Sequence, residues 1–425
     1  MSAPARVQAT ANDVSTLAIA LAPPPPDPAI ADHVAAILED VAVRGDVALV
    51  DLARRFDCPT FGRDMIRVAP ARISDAVASA EPALRESLTV AATQIRALAE
   101  AMPIGDVVAQ LPMGQRITVR TFAVSSVGVY VPGGRAAYPS SLLMAVIPAQ
   151  VAGVARIAVA SPCGPDGHVH ESILLAAGIL GIDEVYAVGG PAMIGAFAYG
   201  TDAVAPVDVI SGPGSAWVAE AKRQVFGTVG IDSIAGPSEV MIIAEGDVDV
   251  SAVAADLCAQ AEHGPDSPAI LASCDPALID AVAAELAHHD VEGAITLVDC
   301  DTRETAIALA EEFAPEHLQL DVPGADTVAA QIRHAGAVFV GPNGATAYGD
   351  YVAGSNHILP TGRAARYASA VSPATYLRRM SVVEMSDQAV LALTPHLAHI
   401  ATAEGFPHHR RSAELRAQRI DRTER

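Results

Sequence analysis

Four short segments carry side chains of the kind that move protons or hold metal ions. In Gln260-Ala261-Glu262-His263-Gly264 an amide and an imidazole stand three positions apart at the expected end of a helix, so they share one face. Imidazole nitrogen is a good zinc ligand and an amide oxygen a tolerable one. A histidine ending a helix can equally serve only the helix dipole. In Phe313-Ala314-Pro315-Glu316-His317-Leu318, Pro315 ends a helix and leaves an acid and an imidazole between apolar neighbours. Burying such a pair costs free energy unless it is used, whereas a solvated loop would ask nothing of it. A poised histidine is the usual general base, and an adjacent carboxylate can orient a water. Gly349-Asp350-Tyr351-Val352-Ala353-Gly354-Ser355-Asn356-His357 sets a carboxylate and an imidazole on a glycine-containing loop, where backbone can approach a ligand. The last segment, Glu404-Gly405-Phe406-Pro407-His408-His409, places an acid and two histidines on the tail, a pattern that alone is often a surface accident.

The elements that must position these groups follow from periodicity. Val127 to Val131 reads as a buried strand ending at Pro132-Gly133-Gly134, followed by an apolar helix through Leu142 to Val151. Arg156–Ala160 is a strand, Glu171–Leu180 a helix and Glu184–Val188 a strand closed by Gly189-Gly190. Alternation of this kind means a parallel sheet covered on both faces, and its strand-end turns are where ligands bind. No GxGxxG is present, so these glycines could equally be tight turns. Further along, Val253–His263 and Thr302–Phe313 read as helices, Ala269–Ser273 and Ala337–Val340 as strands, and Tyr348–Pro360 as a polar loop. Upstream, Pro23 to Pro26 separate an N-terminal arm from two helical stretches, the second spanning about Ile73 to Ala101. The tail from Tyr376 reads as helical, with a break near Pro395.

Composition narrows the partners. The 425-residue chain is 51% apolar and 18% charged, enough for a large core spread over two or three domains. A net charge of −22 disfavours nucleic acid and anionic membranes, which repel an acidic surface. Five scattered cysteines without a CxxC pair fit a reducing, cytoplasmic setting. The apolar run Val14–Ala22 imitates a leader, but it is short and Asp13 abuts it, so it reads as part of the arm. No apolar run is long enough to span a membrane.

Seven segments in one order resemble the histidinol dehydrogenase family. They are Val129-Tyr130-Val131-Pro132-Gly133-Gly134, Ser211-Gly212-Pro213-Gly214, Glu220-Ala221-Lys222-Arg223-Gln224, Ala235-Gly236-Pro237-Ser238-Glu239-Val240, Gln260-Ala261-Glu262-His263, Phe313 to Leu318, and Ser355-Asn356-His357-Ile358-Leu359-Pro360. The resemblance runs from about Ile37 to Arg416. It implies an α/β protein with two Rossmann-like domains whose nucleotide-binding motifs are incomplete, plus an N-terminal arm and a small helical C-terminal domain. On this chain the arm would be 1–26. The first α/β domain would be 27–128 with 237–370, and would carry most metal and catalytic residues. An inserted NAD-side domain would be 129–236, and 371–425 would reach a partner subunit.

The same resemblance implies NAD-dependent, four-electron oxidation of L-histidinol to L-histidine via histidinal, the last step of histidine biosynthesis, in a homodimer with shared active sites. One zinc ion per subunit would be held by Gln260, His263 and Asp350, with His409 of the other chain. His409 fits better than His408 because it lies five residues after Glu404. Glu316 and His317 would be catalytic, and Ser238, His357 and Glu404 would join the metal ligands and His317 around the substrate. Tyr130, Ala192 and Ser215 mark the cofactor positions. Ala192 and Ser215 replace amide side chains usual in the family, and Ser126 replaces an arginine, which removes hydrogen bonds from the NAD side. The alternatives are a relative oxidising another small alcohol, such as sulfopropanediol, and a zinc- or imidazole-binding protein that has lost catalysis.

Overall fold

The structure, a computed structural model, describes residues 4–23, 27–133, 137–290 and 293–423. Pro24 to Pro26 of the proline break and Gly134 of the first glycine turn lie outside the described residues. The chain forms two compact units, Met1–Met102 with Val124–Tyr376, and Pro103–Ala123 with Leu377–Arg425.

The first unit contains two parallel sheets among the described residues. The larger has six strands in the order Ala5–Ala9, Ile295–Cys300, Ala269–Ser273, Val240–Ala244, His317–Asp321 and Ala337–Val340. Its central strands are continuous apolar runs, VMIIA and AILAS, buried at every position because helices cover both faces. Alternation sends Ile243 to a core with Leu309, Phe313 and Leu318, and Ile242 to the opposite core with Leu257, Leu271 and Ile279. The helix Val250–Ala261, which ends near the metal-ligand candidates, starts at Asp249, whose carboxylate accepts from the N–H groups of Ser251 and Ala252. The N-terminal segment adds the edge strand Ala5–Ala9 and then the helix Val14–Leu21, whose Val14 and Ala18 enter the core. The leader-like run is therefore a docked helix. No described helix is long and apolar enough to cross a membrane.

The smaller sheet has five parallel strands, Val185–Tyr186, Arg156–Ala160, Ser126–Tyr130, Val209–Ser211 and Gly230–Ile231. Ser126–Tyr130 comes first in sequence but lies in the middle, so the connections diverge between it and Val209–Ser211. Ligands enter doubly wound sheets at such a switch point, beyond the carboxyl ends of the strands. Upstream, the expected single helix over 73–101 is two, Pro70–Ser79 and Pro82–Ala101. Pro82 keeps Glu81 out of helical geometry and forces the break.

The second unit is a three-stranded antiparallel sheet, Leu377–Met385, Gln115–Ala123 and Val107–Gln110, followed by the helices Asp387–Ala403 and Pro407–Thr423. The tail is thus not helical from Tyr376. Leu377–Met385 pairs along its whole length with Gln115–Ala123, a partner some 260 residues upstream that local periodicity does not reveal. The tail helix also runs through Pro395, and the turn comes instead at Gly405, where φ is 77°.

Candidate active site

Glu316 ends the loop after the helix Arg303–Phe313, and His317 opens the next strand. Ala314, in the left-handed region at φ 50°, and Pro315 bring the chain round to the amino end of the large sheet. Both ionisable side chains are buried, at 6% and 4% exposure, so they are not a solvated loop. A single cavity of about 1280 Å³ in the first unit is bordered by both of them. It also reaches the turns after the small sheet's strands, at Gly133, Gly189-Gly190 and Pro213-Gly214. One wall is therefore the amino end of the large sheet and another the carboxyl end of the small one.

The backbone of Glu239 fixes the acid–imidazole pair. Its N–H donates to Glu316 Oε2 at 2.9 Å, and its carbonyl accepts from the His317 N–H at 3.1 Å. The same carbonyl lies 3.2 Å from His317 Nδ1, which selects the tautomer with the proton on Nδ1. His317 Nε2 lies 3.3 Å from Asp350 Oδ1 without hydrogen-bond alignment, so no hydrogen bond fixes this nitrogen. Glu316 Oε2 is 3.5 Å from His317 Nδ1. Burial raises the proton affinity of Glu316, opposed by the charge of His317. For His317 burial acts to lower it, but the carboxylates of Glu316 and Asp350 prevail and the net shift is upward. Two carboxyls and an imidazole in so dry a setting are the kind of coupled group that acid–base chemistry uses.

The other expected residues fall around this pair. Ser238 borders the cavity and donates to Gln260 Oε1 at 3.4 Å. Gln260 itself sits behind Ser238, buried, with its Nε2 unpartnered. His263 stands just past the helix end, with Nδ1 3.2 Å from the Ala259 carbonyl and 3.3 Å from that of Gln260. Its Nε2 is therefore the nitrogen left for a ligand. Asp350 lies on a short helix, Thr346–Tyr351, and not on the extended polar loop expected there. Its backbone carbonyl accepts from His357 Nδ1 at 2.8 Å, and the other ring nitrogen of His357 is 2.9 Å from Ser141 Oγ. Burial, opposed by the charge of Asp350, lowers the proton affinity of His357 on balance.

As a metal site the donors are chemically suitable. His263 and Asp350 both border the cavity, and Asp350, against the effect of its burial, is held below its ordinary value chiefly by His317. The amide of Gln260 is anchored only through the long contact from Ser238 to Oε1, the atom able to ligate a metal, while its buried, unsatisfied Nε2 calls for a hydrogen-bond acceptor and not for a cation. Among the described residues no three His, Cys, Asp or Glu converge on a common point. Gln260, His263 and Asp350 include only two residues of those types. Glu404 and His409 belong to the second unit, Glu404 at the end of the helix Asp387–Ala403 and His409 in the first turns of Pro407–Thr423.

The cofactor-side positions line the other end of the cavity. The Tyr130 hydroxyl accepts from the Gly190 N–H at 3.1 Å, at the start of the helix Gly190–Tyr199. Ala192 lies in that helix's first turn, and Ser215 precedes the helix Ala216–Val225 without capping it. Gly212 has φ 115°, and a Cβ there would come within 2.0 Å of the Tyr130 carbonyl, so only glycine fits. A buried Lys222–Asp232 ion pair holds this turn, with Asp232 accepting from the Gly212 N–H at 2.8 Å.

The sequence places Glu239 in a segment that carries the family resemblance but gives it no role. Its carboxyl accepts from the Gly362 N–H at 3.0 Å through Oε1, while Oε2 is buried and unpartnered. Burial, less the relief from that bond, raises its pKa from 4.5 to about 8, with the charge of Glu316 adding to the rise. A carboxyl raised on folding favours the folded state most below its unfolded value, and that contribution is lost as pH climbs to the folded one. Glu239→Gln keeps the acceptor for Gly362. It should therefore raise Tm more at pH 9 than at pH 5, as thermal melts would show; an equal shift at both would mean that Glu239 does not ionise in this range.

Three comparisons bear on this site. The family model for histidinol dehydrogenase matches residues 26–417. A histidinol dehydrogenase of Ruegeria pomeroyi is 44% identical over 403 residues, covering 91% of this chain and 92% of that protein. One of Rhodospirillum rubrum is also 44% identical over 403 residues, with the same coverage of 91% and 92%. The crystal structure of histidinol dehydrogenase from Elizabethkingia anophelis superposes with a TM-score of 0.92 at 28% identity, covering 98% of this chain and 99% of that one.

Proposed function

Because the chain belongs to the histidinol dehydrogenase family, we propose that it oxidises L-histidinol to L-histidine through the bound aldehyde, with NAD and one zinc ion per subunit, in a cytosolic homodimer. The observation that carries this reading is the buried Glu316–His317 pair opening on the same cavity as His263 and Asp350. When bound, NAD takes up hydride, and zinc supplies a Lewis acid for the imidazole and amine of the substrate. Gln260, His263 and Asp350, with His409 of the other chain, would hold the metal.

His317 accepts the alcohol proton at Nε2, the nitrogen that the Glu239 carbonyl leaves unprotonated. A metal held at Asp350 would draw off part of the carboxylate charge that, after that of Glu316, raises the proton affinity of His317, favouring the neutral form a base needs. Glu316, dry and beside His317, takes a proton from the water that adds to the aldehyde. His317 returns the first proton to the aldehyde oxygen as it becomes a hydroxyl of the hydrate, and, neutral again, takes a hydroxyl proton of the hydrate as the second hydride leaves. Ser238 and His357 flank the substrate, and Glu404 of the other chain meets its ammonium group. Carboxylates border the cavity at Asp57, Asp266, Glu316 and Asp350, a surrounding suited to a cationic substrate.

A shared site requires a dimer, and the second unit offers surface for one. Val107, Val108, Met380, Val383 and Met385 are exposed on its sheet, Leu397, Ile400 and Leu415 on its helices, and Phe406 between those helices. So much exposed apolar surface marks an association face. The cytosolic assignment draws support from five free cysteines, four of them buried. Metal analysis joined to an NADH assay tests the reading. Histidinol-dependent NADH formation that chelation abolishes and zinc restores is the expected result. Turnover of sulfopropanediol alone, or full activity after the metal is removed, would overturn it.

A further inference from the structure

Asp57 closes the helix Asp46–Phe56, with its N–H bonded to the Ala53 carbonyl at 2.9 Å. It borders the cavity that Tyr130, Pro162 and the Gly189-Gly190 turn also line. Partial burial alone raises the proton affinity of this carboxyl, and neither a cation nor a hydrogen-bond donor offsets it. Its charge is felt by Tyr130 and Cys163, which places it among the small-sheet loops. Among the described residues no lysine or arginine borders the cavity anywhere. The acid is thus partly desolvated, unpaired and turned toward a space that the catalytic pair does not use.

We propose that Asp57 accepts hydrogen bonds from the adenosine ribose hydroxyls of the dinucleotide and thereby excludes a cofactor carrying a 2′-phosphate. The inference rests on the NAD reading above. The nicotinamide must lie beside Glu316 and His317 for hydride to leave the substrate, so the adenosine half extends toward the small sheet. The pyrophosphate between the two halves would fall at the start of the helix Gly190–Tyr199, where the helix dipole favours an anion although the Gly190 N–H is given to Tyr130 and Pro191 has none. A carboxylate that meets the next ribose gains two donors from a vicinal diol. A 2′-phosphate removes one donor and sets a dianion against an anion, with no bordering cation among the described residues to balance it. Because Ala192 and Ser215 provide less hydrogen bonding than amides would, Asp57 carries a larger share of cofactor recognition here.

Titration of the zinc-loaded protein with NADH and NADPH, followed by nucleotide fluorescence, tests this without relying on turnover. The full chain should bind NADH at least about a hundredfold more tightly than NADPH, the scale of a lost charged hydrogen bond plus repulsion. Asp57→Asn and Asp57→Ser should each weaken NADH about tenfold or more while leaving or improving NADPH, so the preference shrinks by at least about tenfold. Melting curves would show that both variants are folded. If the unchanged protein prefers NADH but both variants keep the same preference, Asp57 is not the discriminating group and the NAD reading stands. If the unchanged protein binds neither nucleotide, or NADPH better, both readings fall together.

Discussion

Replacing His317 with alanine should lower kcat for histidinol oxidation by at least about a hundredfold, the scale of a lost general base, while zinc content and fold persist. Each oxidation releases a proton from oxygen along with the hydride. Nε2 of His317 is the nitrogen placed to take it, because Nδ1 is held by the Glu239 carbonyl. The side chain is not among the proposed metal ligands, so metal analysis of the variant should match the parent. Alanine leaves the strand His317–Asp321 in register, since its pairing with Val240 and Ala337 is made by backbone. Steady-state rates, metal content and melting curves together distinguish loss of a base from loss of structure. A variant with kcat within a few-fold of the parent would remove His317 from the chemistry.

His409→Ala should strip zinc and activity through a different route, and the two variants should rescue each other. If His409 serves the site of the neighbouring subunit, a mixed dimer assembles one intact site. That site combines the body of the His409→Ala chain, which retains His317, with the tail of the His317→Ala chain, which retains His409. Free reassortment of equal amounts should restore about a quarter of the parental activity, because half the dimers are mixed and each has one working site of two. Neither variant alone should approach that. Mixtures that stay as inactive as their components, after verified subunit exchange, would argue against a site shared across a two-fold contact.

The parallel sheets were legible in the sequence because strands buried on both faces are unbroken apolar runs. Val127–Val131 and Ala269–Ser273 read as strands on that ground, being short apolar runs bounded by turn residues. Leu377–Met385 was not legible, since its pairing partner is far away in the chain and its polar alternation is weak. The helix break at Ala80-Glu81 was present in the sequence as Pro82 but was outweighed by long apolar periodicity on either side.

For the site, residue type alone suggested acid–base chemistry at Glu316 and His317, whereas their roles and the metal set came from family resemblance. Which atoms are fixed and which are left open needed coordinates. No spacing rule announces that the backbone of Glu239 grips both catalytic side chains, or that Asp57, one residue beyond a helix, faces the same cavity. The general rule for α/β sheets placed a ligand at the carboxyl ends of the small sheet. It did not place the acid–imidazole pair at the amino end of the large one, which follows from where the left-handed turn at Ala314 delivers the chain.

The stoichiometry of a single-substrate exhaustion tests the central claim most directly. With limiting L-histidinol and excess NAD, the zinc-loaded protein should form two NADH for each histidinol consumed, with histidine as product and no free aldehyde trapped by an added amine scavenger. One NADH per histidinol with aldehyde released, or no NADH at all, would contradict an account in which one pocket holds the substrate through both oxidations.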